Sequence, residues 1–183
     1  MTRLTNIPTL TTDRLTLRQP VEADFDLVAD FFASKDRSWG FGGPLDRTGA
    51  WRWFAANLGH FALKGYGFWF LETAAGDTVG MVGLWGPEGW NETELGWVMF
   101  EGSEGKGYAR EAAEAVREYA YETLGWDALC SNIFPGNDRS VALAERMGAT
   151  LESEWDSPTH GTEMVYRHPS KEALAAEQKE TSK

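Results

Sequence analysis

The sequence predicts a single α/β domain with an antiparallel meander at its centre and helices packed around it. Three observations carry that prediction. The 183 residues give room for one sizeable core and hardly for two, since domains commonly run ~100 to 200 residues. Hydrophobic residues make up 42% of the chain and include nine Trp, enough apolar mass to outweigh the entropy of ordering and exclude wholesale disorder. Their spacing also switches along the chain between the period of two of a half-buried strand and the period of a helix.

Leu15 and Leu17 alternate with Arg14, Thr16 and Arg18, as in a strand with one buried face, and Pro20 ends it. Val21, Phe25, Val28, Phe31 and Phe32 fall at helical spacing, with Glu22, Asp24, Asp26 and Asp30 largely on the other side, so a helix is expected over 21–33. Residues 38–44 carry the Gly and Pro punctuation of a loop together with Trp39 and Phe41, large aromatics suited to meeting a ligand or partner. A second helix is expected from Asp46 through Trp51, Phe54, Ala55, Leu58 and Leu63, stopped by Gly65. Short apolar runs at 68–72, 78–85 and 93–100, separated by Gly-rich turns, form the meander. From Ala109 the helical period returns. Ala109, Ala112, Ala113, Val116 and Ala120 make one stripe, and Arg110, Glu111, Glu114, Arg117 and Glu118 are expected to face water until the helix ends near Leu124-Gly125. A strand over 128–134, a helix over 138–147 and strands over 150–155 and 163–167 complete the order β-α-α-β-β-β-α-β-α-β-β, and 169–183 is a polar Ala, Glu and Lys tail, helical or frayed.

With 28 Asp plus Glu against 17 Lys plus Arg, the formal charge is −11. That balance repels phosphate backbones and anionic lipid heads, so a general role on nucleic acid or at a membrane surface is not expected, and any polyanionic ligand needs a local basic patch. The single cysteine, Cys130, excludes an internal disulfide and any multi-cysteine metal cluster. It lies in the apolar run Ala128-Leu129-Cys130 and reads as a buried structural thiol in a reducing compartment. His60, His160 and His168 show no metal-ligand spacing, so no metal is expected and all three read as surface or loop residues. No run of ~18 apolar residues occurs and the N-terminus lacks a long apolar core, which points to the cytoplasm.

Residues 100–110 join a strand directly to a helix through Gly102, Gly105 and Gly107. A helix N-terminus offers unpaired N–H groups and a positive dipole end, and glycines let the backbone close on phosphate oxygens. A dinucleotide fingerprint fails because Arg110 stands where its third glycine belongs. A P-loop fails because Lys106 is followed by Gly107 and not by Ser or Thr.

The segment Glu104-Gly105-Lys106-Gly107-Tyr108-Ala109 resembles instead the pyrophosphate loop of the GNAT superfamily of acyl-CoA-dependent N-acetyltransferases. That pattern is Arg or Gln, two residues, Gly, one residue, then Gly or Ala. Glu104 departs at the first position, but backbone N–H groups supply most of the contacts and are retained. Residues 105–112 are especially similar to the branch that includes the ribosomal-protein N-terminal acetyltransferases, and segments 12–18 and 166–169 fit the same branch. Asn137-Asp138-Arg139-Ser140, followed by Leu143, Glu145, Arg146, Met147 and Gly148, resembles the second family segment. Residues 93–99 resemble the strand that opens a V against its parallel neighbour. The resemblance covers 10–168 and implies the GNAT fold, a single domain whose mixed, mostly antiparallel central sheet is splayed between its fourth and fifth strands and flanked by helices.

The resemblance also implies a chemistry. Acetyl-CoA is the expected donor, held by Glu104, Gly105, Lys106, Gly107, Tyr108, Ala109 and Arg110 at the pyrophosphate, by Asn137 along the pantetheine and by Ser140 near the sulfur. Backbone N–H groups near Val98 or Met99 would receive the oxyanion. Glu94 is the expected base, directly or through water, with Glu92 as understudy. Ala144 stands where many relatives carry a tyrosine acid, so Ser140 is left to orient the sulfur or relay a proton. Lys106, Arg110, Arg139 and Arg146 offset the acidic total locally. Of Trp39, Phe41, Trp51, Trp53, Trp85 and Trp90, about two-thirds are expected to be packing residues and the rest to line an acceptor pocket. The expected function is acetyl transfer to a primary amine by direct attack in a ternary complex, with no metal. The acceptor is a small molecule or peptide, and the acidic balance and the Trp faces favour a cationic one. The chain is expected to act as monomer or homodimer. Glu104 and Ala144 also motivate a second reading, a catalytically silent acyl-CoA-binding sensor or interaction module. A third reading is a loop that takes another phosphate ligand.

Overall fold

The computed structural model describes residues 7–158 and 160–181. Its strands are β1 (Leu10–Thr11), β2 (Leu15–Arg18), β3 (Phe68–Thr73), β4 (Thr78–Trp85), β5 (Glu94–Met99), β6 (Cys130–Ile133), β7 (Thr150–Ser157) and β8 (Gly161–Arg167). They form one open sheet in the order β1-β2-β3-β4-β5-β6-β8-β7. Every neighbouring pair is antiparallel except β5 and β6, which run parallel and share one registered pair, Glu94 opposite Cys130. The expected splay between fourth and fifth strands is therefore the β5/β6 junction, since the short β1 adds one strand to the expected order.

The helices are α1 (Phe25–Ala33), α2 (Lys35–Ser38), α3 (Arg47–Lys64), α4 (Tyr108–Glu122), α5 (Asp138–Arg146) and α6 (Lys171–Thr181). The expected loop at 38–44 is partly helical, because α2 runs into a 3-10 turn over Trp39–Phe41. Asp46 caps α3 by accepting from the Gly49 N–H at 2.7 Å, and Gly65 closes it in the left-handed region at φ 81°. No helix among the described residues is long and apolar enough to cross a membrane, and no group of three His, Cys, Asp or Glu among them is placed to hold a metal ion.

Period-two alternation gives the sheet two apolar faces. Phe68 and Phe70 of β3 pack with Val28, Phe32 and Phe54 of α1 and α3, whereas Trp69 and Leu71 pack with the α4 stripe of Ala112, Ala113, Val116 and Ala120. The result is three layers, with α1 and α3 on one face and α4 on the other. Within the tail, Lys171–Thr181 is helical, and Leu174 of α6 packs against the α4 cluster. Two expectations are corrected. Arg117 does not face water: it is buried, with Nη1 donating to the Met147 carbonyl at 2.7 Å, which ties α4 to the end of α5. His60 and His168 are buried and not superficial. His60 stacks on Trp85 at 4.6 Å and accepts from the Gly86 N–H, apolar and polar contacts that a lone histidine in the sequence does not reveal.

Candidate active site

The site begins where the sheet stops pairing. Beyond the one β5/β6 pair the two strands part, and side chains replace the missing ladder. Glu94 Oε2 accepts the Asn132 N–H at 3.1 Å, and the Ser131 hydroxyl donates to the Leu95 carbonyl at 2.6 Å. Backbone groups alternate direction along a strand. The Phe100 N–H reaches the Val79 carbonyl on the β4 side, whereas the Leu95 carbonyl faces β6. Alternation therefore turns the Val98 amide toward β4 and leaves the amides of Trp97 and Met99 facing the gap.

Beside the gap lies a cavity of about 330 Å³. Glu94, Gly96 and Trp97 of β5 reach it, as do Ser131 and Asn132 of β6, Asn137 and Ser140 at the start of α5, and His160 and Glu163 of the β7–β8 hairpin. Glu94 is half-buried, and each of its oxygens has one donor, Trp90 Nε1 at 3.0 Å and the Asn132 N–H. Burial pushes its pKa up to about 7 even though both donors favour the charged form, and the nearby Glu163 adds to the rise. Half ionised near neutrality, a carboxylate here is suited to accept a proton. Glu92 is occupied elsewhere, in a bidentate pair with Arg167 at 2.6 and 2.7 Å. Cys130 is fully buried and burial pushes its thiol up, which agrees with a structural role.

Asn137 caps α5, with Oδ1 accepting from the Ser140 N–H at 3.3 Å. Its Nδ2 lies against Gly40, where a Cβ would come within 2.5 Å, so a glycine is what lets the 39–41 turn close over this end of the cavity. Ser140 Oγ accepts from Trp97 Nε1 at 3.2 Å, which leaves the serine proton free to point into the cavity. Ala144 is fully buried and is not among the described residues that line the cavity.

The glycine loop lies at the other end of β5. Gly105 and Gly107 have φ of 75° and 81°, and Gly107 is the N-cap of α4. Positive φ at both positions suits glycine, and the 15-residue α4 directs its dipole and first-turn N–H groups at the loop. Two arginines serve it. Arg37 pairs with Glu104 at 2.5 Å and donates to the Met99 carbonyl at 2.8 Å. Arg14 pairs with Glu111 in the first turn of α4, donates to the Lys106 carbonyl at 2.9 Å and lies over the Tyr108 ring. Burial opposes the charge on Glu104 and on Glu111. Hydrogen bonds outweigh it, including those from Arg37 and Arg14 respectively, and hold both carboxylates below the usual range. Glu104 and Glu111 are thus each paired with a guanidinium, which reduces their opposition to an anion at the backbone donors and Lys106. Arg110, by contrast, turns to Glu114 at 2.8 Å along its own helix.

The structure therefore brings Glu94, Asn137 and Ser140 to one cavity and sets residues 104–109 at one helix start. Sequence reasoning missed Arg14, Arg37, Trp97, Asn132, Ser131, His160 and Glu163. Glu163 gave one usable signal, an acid opening the otherwise apolar run Met164-Val165-Tyr166. Arg14 and Arg37 are about 70 to 90 residues from the loop that they serve, and nothing in local spacing links them. Of the six aromatics considered, Phe41, Trp53, Trp85 and Trp90 line the cavity, more than the expected third, while Trp39 and Trp51 are 40% and 45% exposed.

Residues 14–150 match the family described as the acetyltransferase (GNAT) domain. The crystal structure of an acetyltransferase from Agrobacterium tumefaciens str. C58 is 40% identical in sequence, superposes with a TM-score of 0.83, and covers 92% of this chain and 98% of its own. The uncharacterized protein YkkB of Bacillus subtilis (strain 168) is 29% identical over 158 residues, 81% of this chain and 91% of that protein. A spermidine N-acetyltransferase from Vibrio cholerae, solved with CoA and spermine, has the same fold at a TM-score of 0.71 and 16% identity, covering 88% of this chain and 98% of its own.

Proposed function

Because the chain belongs to the GNAT acetyltransferase family, we propose that it transfers the acetyl group of acetyl-CoA to a primary amine, by direct attack within a ternary complex. The observation that carries the proposal is that Glu94 of β5 and Ser140 of α5 face one cavity beside the β5/β6 gap. The donor fits the chain's own groups. The loop N–H groups at Gly105–Ala109 and Lys106 take the pyrophosphate, Asn137 takes an amide of the pantetheine, and the gap admits its length. That the V. cholerae enzyme was solved with CoA supports the same use of this fold.

Within that complex Glu94 accepts, directly or through water, the proton that the ammonium must lose before the neutral amine attacks, and its pKa of about 7 suits the exchange near neutral pH. The Trp97 and Met99 amides point into the gap and serve as donors to the developing oxyanion; of the two residues expected in this role, the alternation favours Met99 over Val98. Ser140, held through its lone pair by Trp97, relays to the departing sulfur the second proton lost by nitrogen. The cytoplasm is the expected compartment, and a cationic amine is the expected acceptor. The test is release of free thiol from acetyl-CoA across a panel of amines. Tight acetyl-CoA binding with no thiol released by any amine would favour the silent binding module.

A further inference from the structure

The cavity carries one more carboxylate than the transfer requires. Among the described residues that line it, Glu94 and Glu163 are the only acids, and no Lys or Arg joins them. Elsewhere among the described residues the sheltered acids have a guanidinium: Asp24 has Arg18, Glu92 has Arg167 and Glu111 has Arg14. Glu163 is 5% exposed and has no such partner among the described residues. It bonds to the Ser157 hydroxyl, and His160 Nδ1 lies 3.9 Å away. Burial lowers the pKa of that imidazole, which disfavours its charged form. A buried carboxylate without a cation is costly, and this chain avoids the arrangement elsewhere. The cavity walls are largely aromatic, with Trp85, Trp90, Phe41 and Phe134 among them, surfaces that accept methylene groups and ammonium ions alike. At about 330 Å³ the cavity is at the small end of ligand sites, and its Asn137–Ser140 end belongs to the donor.

We propose that Glu163 is a second anchor of the acceptor pocket, holding the distal ammonium of a short aliphatic diamine while the near amine is presented to Glu94. This rests on the acetyltransferase reading of the same site and narrows its acceptor. The transfer is unchanged. Glu94 takes one proton from the ammonium to free its lone pair, one C–N bond forms as one C–S bond breaks, and the second proton leaving nitrogen reaches the sulfur through the Ser140 hydroxyl, so that CoA departs as the thiol. What Glu163 adds is selection, since a monoamine of equal length leaves it buried and unpaired.

The experiment compares kcat/KM for 1,3-diaminopropane, 1,4-diaminobutane and 1,5-diaminopentane with that for the n-alkylamine of the same length. The best diamine is expected to exceed its monoamine at least tenfold, and Glu163→Gln to cut that ratio below threefold. The ratio is read within each protein, so a general loss of turnover cancels. Should Glu163→Gln fail to fold, Glu163→Asp is expected to move the preference toward a diamine one methylene longer. A ratio near one in the unaltered protein, or a ratio unmoved in the variant that folds, overturns the anchor while leaving acetyl transfer intact. If acetyl-CoA binds and none of the six amines reacts, calorimetry of diamine and monoamine on the CoA complex reads the same ratio as Kd, with equal affinities overturning the anchor. Failure of acetyl-CoA itself to bind removes the acetyltransferase reading, and the anchor with it.

Discussion

Glu94 has two duties that pull in different directions. It bridges β5 to β6 through the Asn132 N–H, which favours a charged oxygen, and it lies in a cavity whose burial disfavours charge, with the net result a pKa near 7. A carboxylate whose pKa is raised on folding takes up a proton more readily in the folded state. Its full contribution is therefore present below the ordinary value of about 4.5, stability falls as pH rises from there to about 7, and the loss is constant above. A shift of that size corresponds to about 3 kcal/mol. Glu94→Gln is accordingly expected to gain roughly 1 to 3 kcal/mol relative to the unaltered protein between pH 4 and pH 8, as read by urea unfolding at the two pH values. An equal difference at both pH values would mean that the group does not titrate in this window. The same variant is expected to lower kcat with the best amine by at least about tenfold, and to abolish a rise in rate through pH 7. Ser140 and Asn137 divide differently. Ser140→Ala and Trp97→Phe are both expected to reduce kcat, since the first removes the hydroxyl and the second the N–H that orients it at 3.2 Å. Asn137→Ala should chiefly weaken acetyl-CoA binding and also cost about 1 kcal/mol of stability, because it removes the α5 cap. Equal losses of affinity for Ser140→Ala and Asn137→Ala would make Ser140 a binding residue.

The glycine loop and α4 act as one element, and the arginines that serve it come from just before β2 (Arg14) and from α2 (Arg37). Gly107→Val is expected to remove most acetyl-CoA binding. A branched side chain is strained at φ 81°, and its Cβ would also come within 3.3 Å of the Arg14 guanidinium. Normal binding by a folded Gly107→Val would reduce the loop to a turn. Arg37 is expected to act through Glu104. Arg37→Ala leaves that carboxylate uncompensated beside the incoming phosphates and should weaken acetyl-CoA by about tenfold, the scale of one charge-assisted contact. Arg37→Ala combined with Glu104→Ala should recover most of the loss. If the double variant binds no better than the single one, the guanidinium contacts the phosphates itself and the neutralising role is wrong. These pairings also mark the limit of what the sequence discloses. The loop, the α4 stripe and the Asn137–Ser140 cap are local patterns, and all are legible from spacing. Arg14, Arg37, Trp97 and Glu163 reach the site only through sheet order and helix packing, which local periodicity does not encode. Arg117 shows the converse, a residue on the polar side of its helix that the end of α5 covers.

At the scale of the molecule, a net charge of −11 is compatible with the proposed polyanionic donor because Arg37 and Arg14 pair with Glu104 and Glu111 beside the loop proposed to hold it. Acetyl-CoA at ~100 times its Kd should add about 2.7 kcal/mol to stability, an easily measured rise in Tm. Added salt should raise KM for a cationic acceptor by screening its attraction to the acidic surface and cavity. An anionic acceptor whose use improves with salt would contradict that electrostatic reading. The fold class and the order of major elements were readable because alternation, helical stripes and capping residues agree over most of the chain. The short β1 and the helical turns at 35–41 were not, being too brief to establish a period. The parting of β5 from β6 has one more consequence, in the isotope-exchange behaviour of the backbone. A strand at the centre of an eight-stranded sheet ordinarily has its amides locked from both sides, whereas here the Trp97 and Met99 amides have no ladder partner among the described residues. Deuterium should therefore enter at 97 and 99 and lag at 98, a fast–slow–fast sequence inside one buried strand. Acetyl-CoA, by filling the gap, should slow the outer two until the three exchange alike.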